Sequence, residues 1–282
     1  MYYLYSTINV LYDAIIRKYG EEWDKLEIDL PFIITEGQRW KNEFINILLV
    51  FDYERQDPRF EDSKIKRMQK YFNDMADRGK LYLNYPMVES YQDINLSESV
   101  DSQIKEVSRQ EIENYKDSLR TNEVKQMIDF KDKFSRMLNS KLRNLTDDQL
   151  EAILCSSGNG ELGQILNKIG LQDKNLQDNL QGYFSDQAFW KKGISYRRYV
   201  KEIFQKIILC NLYRLGYVAQ KTFTELENPE KIEENKECFY SIKFTEVVEK
   251  QNNHWNQKEK VYVLNTGVLM IAEYNFSLLY KR

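Results

Sequence analysis

Along the first hundred residues the apolar positions form short continuous runs separated by a periodic stretch. Ile45-Asn46-Ile47-Leu48-Leu49-Val50-Phe51 is one run, and Leu81-Tyr82-Leu83 is another. Each is short, rich in β-forming residues and closed by a turn signal, which predicts a strand buried on both faces. Between them Ile65, Met68, Tyr71, Phe72 and Met75 recur at helical spacing over residues 62–77. Strand, helix and strand in this order predict a right-handed crossover with both strands parallel. Upstream, Ile8, Leu11, Tyr12, Ile15, Ile16 and Tyr19 form one stripe over residues 6–19, with Ser6 or Thr7 as N-cap and Gly20 as C-cap. Residues 26–34 alternate and carry Pro31, the pattern of an irregular or edge strand. Residues 35–37 make a turn, and 38–43 have room for only one or two helical turns. The alternation of helices and strands argues an α/β sheet.

From residue 98 the pattern changes. Apolar positions Ile104, Val107, Ile112, Tyr115 and Leu119, then Val124, Met127, Ile128 and Phe134, sit among Glu, Lys, Gln and Arg and predict amphipathic helices. Thr146 caps a further helix through Leu154, and residues 156–160 form a loop. Short helices follow, broken at Gly163, Gly170 and Gly182, and a strong helix runs from Tyr196 to Leu215 and stops at Gly216. Residues 225–237 are acidic and read as an exposed loop, and the chain ends in short apolar segments around Asn265-Thr266-Gly267. The expected organisation is an α/β domain over residues 1–97 and a mainly helical domain over 98–282 with a short α+β end. So many apolar helical positions predict an exposed apolar face.

Composition narrows the function classes. The 282 residues carry 41 basic and 44 acidic side chains, a net charge of −3, so any nucleic-acid contact needs a local basic patch. Cys155, Cys210 and Cys238 are far apart and odd in number, the usage of reduced thiols in a cytoplasmic protein rather than a disulfide or zinc framework. No apolar stretch reaches the roughly 20 residues that span a bilayer, and residues 1–20 do not read as a secretory signal.

The chemistry concentrates where the two predicted parallel strands end. Asp52 and Glu54 are one residue apart and point to the same side of an extended chain, Asp57 follows in the loop, and Glu89 leaves the second strand. Carboxylates at the carboxyl edge of a parallel sheet are how a protein holds Mg²⁺, which takes oxygen ligands and bridges to phosphate. The plainer alternative is that acids after a strand solvate a turn.

The combination Phe51-Asp52-Tyr53-Glu54-Arg55-Gln56-Asp57, then a helix, then Asn84-Tyr85-Pro86-Met87-Val88-Glu89 resembles the TOPRIM-like nucleases of the RloB and OLD type. In that family an acidic strand end of the form Phe-Asp-x-Asp/Glu is followed, one crossover later, by Asn-Pro-x-x-Glu or a close variant; here Tyr85 splits the Asn and the Pro. The resemblance covers about residues 6–95. It implies a TOPRIM-like, mostly parallel sheet flanked by helices. It implies a Mg²⁺- or Mn²⁺-dependent nuclease subunit of a bacterial anti-phage system, acting on DNA or RNA beside an ABC-type ATPase. A phage protein trigger and a homo-oligomer belong to the same expectation, and no membrane does. Asp52, Glu54, Glu89 and Glu36 would be the catalytic acids, with Asp52, Glu54 and Asp57 on the metal.

Such proteins open with a strand ending in Glu-Gly, whereas this chain has no acid before Asp13, and Glu36-Gly37 falls at the family's second strand. Truncation, substitution by Glu36 and a degenerate site are all open. The rival reading is therefore a catalytically inactive effector or sensor module.

Lys191, Lys192, Arg197, Arg198 and Lys201 surround Phe189, Trp190, Tyr196 and Tyr199, a composition that suits a phosphate backbone and unstacked bases. Snorkelling stems on an amphipathic helix would look the same. His254, the only histidine, sits among asparagines in what reads as a solvated turn.

Overall fold

The computed structural model describes residues 7–30, 46–141, 146–170 and 173–280. The chain divides into two compact units, residues 1–119 with 207–282 and residues 120–206. These limits differ from the expected boundary at residue 98, because the chain returns to the first unit after residue 206.

The first unit begins with α1 (Ile8–Tyr19), which buries Ile8, Leu11, Tyr12 and Ile15. Thr7 Oγ1 accepts from Val10 N at 3.2 Å, and the Gly20 amide closes the helix on Ile16 O at 2.8 Å. Residues 26–30 form no strand; there Ile28 N donates to the Tyr71 hydroxyl, which donates to Leu26 O. Residues 31–45, which include Glu36 and the short helix expected at 38–43, lie outside the described residues.

β1 (Leu48–Asp52) and β3 (Gly79–Tyr85) pair in parallel, with Asp52 opposite Asn84. The connection is α2 (Asp62–Tyr71), which buries Ile65, Met68 and Tyr71. It ends six residues before the expected limit, because the chain turns back at once through β2 (Asn73–Asp74), antiparallel to the start of β3. Gly79, at φ 95°, permits that turn.

The sheet is mixed rather than mostly parallel among the described strands. A hairpin brings β2 to β3 and a late return of the chain brings β6 (Leu264–Asn265), and both connections give antiparallel pairing. β3 is buried along most of its length, whereas on β1 Leu49 is buried and Leu48 and Val50 are about two-fifths exposed.

β4 (Glu106–Ser108) and β5 (Lys260–Tyr262) make a separate antiparallel pair, so Val107 belongs to a strand and not to a helix. α3 (Arg109–Ser118) follows behind a Ser108–Glu111 capping box. Later come α10 (Lys236–Ser241), α11 (Phe244–Lys258) and α12 (Met270–Tyr274).

The second unit is helical: α4 (Glu123–Lys141), α5 (Asp147–Leu154), α6 (Asn159–Lys168), α7 (Lys174–Ser185) and α8 (Ala188–Lys191). Thr146 and Gln149 form the capping box of α5. Gly163 and Gly182 lie inside α6 and α7 and break neither; Gly170, at φ 82°, follows α6. Its core is aromatic, with Phe130, Phe134, Phe184 and Phe189 at centroid separations of 4.9 to 5.9 Å.

α9 (Tyr196–Ala219) runs past Gly216, the expected stop. Gly216 serves packing instead, since a Cβ there would lie 2.5 Å from Phe223 Cδ2. The large apolar residues that stay exposed, such as Tyr217, Tyr240 and Tyr274, all fall outside residues 98–215. The expected apolar face is therefore not found among the described residues: the helices turn those positions into their own cores.

Candidate functional site

The carboxyl edge of the β1–β3 pair gathers the acids. Tyr53 N donates to Asn84 O at 3.0 Å and prolongs the pairing by one residue. The Tyr53 ring is buried against Tyr85 and Phe60, with centroids 4.6 and 5.2 Å away, and its hydroxyl donates to Asn252 Oδ1 on α11. With Tyr53 turned inward, the alternation of extended chain sends Asp52 and Glu54 to the other side.

Asp52 Oδ1 accepts from Val88 N at 2.6 Å, at the start of the 3₁₀ turn Val88–Gln92. Burial raises its pKa, the Val88 amide and Lys116 oppose the rise, and the Glu89 carboxylate adds to it. Glu54 is pushed up to about 7, by burial first and then by the charges of Asp52 and Asp57; Arg59 and the Thr7 hydroxyl act the other way. Glu54 Oε2 is buried with no hydrogen-bond partner among the described residues.

The other two acids have cations of their own. Asp57 accepts from Arg59 N at 2.8 Å, from Arg59 Nη2 at 2.9 Å and from Asn9 Nδ2 at 3.1 Å, and its pKa falls to about 2. Glu89 forms an ion pair with Lys116. Among the described residues no group of three His, Cys, Asp or Glu side chains is arranged to hold one ion. Asp52 and Glu54 have the chemistry of cation donors: burial raises the pKa of both, and Glu54 keeps one oxygen with no hydrogen-bond partner among the described residues. Asp57 and Glu89, as arranged, do not fit a cation. Glu36 cannot be placed, because it lies outside the described residues.

Lys191, Lys192, Arg197, Arg198 and Lys201 are all exposed. Arg198 bonds Glu202 at 2.9 Å, and Arg197 stands 4.0 Å from Glu151. The aromatics between them do not form a stacking platform. Phe189, Tyr196 and Tyr199 are buried, and the Tyr196 hydroxyl donates to Met127 O at 2.8 Å. The helical period sends these three rings to the core, leaves Trp190 half-buried and keeps the charges outside.

Three features were not read from the residues. Arg55 bonds Asp62 and Asn256, both at 2.8 Å, and stacks over Phe60, clamping the acidic loop to α11. Its only signal was its place inside the acidic motif. Behind the edge, Asn84, Asn211, Asn265 and Thr266 form a buried network: Asn265 N donates to Asn211 Oδ1 at 2.7 Å, Asn265 Nδ2 to Val88 O at 2.7 Å, and Gly267 N to Asn84 Oδ1 at 3.0 Å. This network holds the Val88 turn against β3 and so positions the amide that Asp52 accepts. His254 is the third feature. It is not in a solvated turn but buried on α11, stacked on Tyr262 and 3.0 Å from Glu106 Oε1, and burial lowers its pKa.

The first unit is thus a mixed α/β fold with an acidic carboxyl edge, and no described helix is long and apolar enough to cross a membrane. No protein family, curated protein or solved structure matches the chain.

Proposed function

We propose that the acidic edge binds a divalent cation, Mg²⁺ or Mn²⁺, and that the chain is the nuclease subunit of a TOPRIM-like anti-phage system. The observation that carries this reading is the pair Asp52 and Glu54: two carboxylates on the carboxyl edge of a parallel strand pair, neither ion-paired to a cation of its own among the described residues. The strand–helix–strand connection through α2 supports it. Asp52, fixed by the Val88 amide, and Glu54 would hold the ion, which supplies charge neutralisation at phosphate and a more acidic bound water. Glu54 joins by losing the proton that its surroundings favour. Glu89 and Asp57 contribute only after releasing Lys116 and Arg59. The exposed row from Lys191 to Lys201 would meet the phosphate backbone. An ABC-type ATPase partner, a phage protein trigger and a cytoplasmic location belong to the same proposal.

The engagement of Asp57 by Arg59 and of Glu89 by Lys116 favours a second reading, a catalytically inactive effector or sensor module. Purified protein should be incubated with DNA and with RNA, with Mg²⁺, Mn²⁺ or a chelator. Metal-dependent cutting lost in Asp52→Asn supports the nuclease. Calorimetric metal binding without cutting supports the second reading, and absence of both refutes the metal site.

A further inference from the structure

At the other end of the sheet, between α2 and α11, lies a cavity of about 640 Å³ whose lining is basic in a chain of net negative charge. Lys66 and Lys70 reach it from α2, Lys80 from the start of β3 and Lys243 from the residue before α11. Three separate segments therefore converge on it, which one solvated helix face does not explain. Glu246 and Glu249 are the acids of the lining.

The charges are unequally engaged. Lys66 stands 3.4 Å from Glu249, and Lys80 pairs with Glu273 while lying 4.9 Å from the Phe244 ring centroid. Among the described residues Lys70 and Lys243 have no ion-pair partner. Lys243 also precedes the first turn of a 15-residue helix with no side chain capping it, where the helix dipole disfavours a cation. Its place there does not serve the helix; an anion in the cavity would compensate both.

We infer that this cavity binds a phosphate-bearing ligand through Lys66, Lys70, Lys80 and Lys243. Several lysines on one concave wall suit the dispersed charge of phosphate groups, which lysine meets as a point cation. The volume lies within the range of small-ligand sites, and Asn73 and Thr245 add polar groups to the lining. The ligand is either a nucleotide or the backbone of a nucleic-acid strand. The inference uses none of the acids at the opposite edge and stands independently of the nuclease reading.

The test measures binding of a nucleoside triphosphate by calorimetry and of a labelled single strand by fluorescence anisotropy, both without divalent metal. The proteins are wild type, Lys70→Glu/Lys243→Glu, and Lys231→Glu/Lys236→Glu as a charge-matched control. At least a tenfold loss in the first double variant, with the control within twofold of wild type, is expected for whichever probe binds. If the strand is the ligand, the first variant also lowers the slope of log affinity against log salt by about 2. Failure of wild type to bind either probe overturns the inference. So does an equal loss in both variants. Circular dichroism melting of both variants keeps a folding defect from passing as lost binding.

Discussion

Residues 52–57 and residues 189–201 look alike as sequence, since each sets several like charges beside aromatic side chains, Tyr53 in the first and Phe189, Trp190, Tyr196 and Tyr199 in the second. In the first, Tyr53 goes inward, and the chain holds Asp52 and Glu54 partly buried beside each other. In the second, Phe189, Tyr196 and Tyr199 join a core, Trp190 is half-buried, and the five cations are exposed. Like charges in water repel little, because solvent screens them; held near a low-dielectric core they bind protons or a counter-ion. Burial, not charge density, therefore separates a candidate site from a solvated face.

The comparison breaks most visibly if the second region's rings are not core. Phe189→Ala should destabilise the protein by about 3–5 kcal/mol in urea unfolding, as for a buried ring. A loss under about 1 kcal/mol would mean that the aromatic cluster is not a packed interior.

Asp52→Asn keeps an acceptor for the Val88 amide and removes only charge. Cutting should fall by about 10²–10³-fold, the scale of a lost electrostatic group. The melting temperature without metal should stay level or rise, since a repulsion is relieved. A clear fall in melting temperature would assign Asp52 to the turn alone.

Glu54 gives the pH dependence. Its folded pKa, about 7, lies above the ordinary 4.5, so the folded state favours the protonated form. The linked destabilisation is absent below about pH 4.5, grows as pH rises towards 7 and is complete above it. Glu54→Gln should therefore stabilise the protein at pH 8 by about 1–2 kcal/mol after allowance for solvent screening, and change little at pH 4. Mg²⁺ should stabilise wild type more at pH 8 than at pH 5. Melting curves at the two pH values check both, and an equal effect of the substitution at both would remove Glu54 from the site.

The smallest effect belongs to the second region. Arg197→Ser/Arg198→Ser should change stability by less than about 0.5 kcal/mol, because exposed pairs contribute little. If these side chains meet phosphate, the salt slope of nucleic-acid binding falls by about 2 in the double variant. An unchanged slope would leave the row as a solvated face.

The local code of the chain determined a good deal by itself. Thr7, Gly20 and Thr146 marked helix ends through hydrogen bonds that form within a few residues. The apolar runs at 45–51 and 81–83, with the periodic stretch between them, specified a parallel crossover and placed Asp52 at its edge. Tertiary structure decided what depends on distant partners. Gly216 sits inside α9 at a place where a Cβ would meet Phe223, and His254 is buried because α11 brings it to Glu106 and Tyr262. The state of each acid was settled in the same way. Arg59 is two residues from Asp57 and so readable in the sequence, but Lys116, which pairs with Glu89, and the burial that leaves Glu54 Oε2 without a hydrogen-bond partner among the described residues come from the folded arrangement. A carboxylate's type is written in the chain, whereas its pKa and its partner are properties of the space around it.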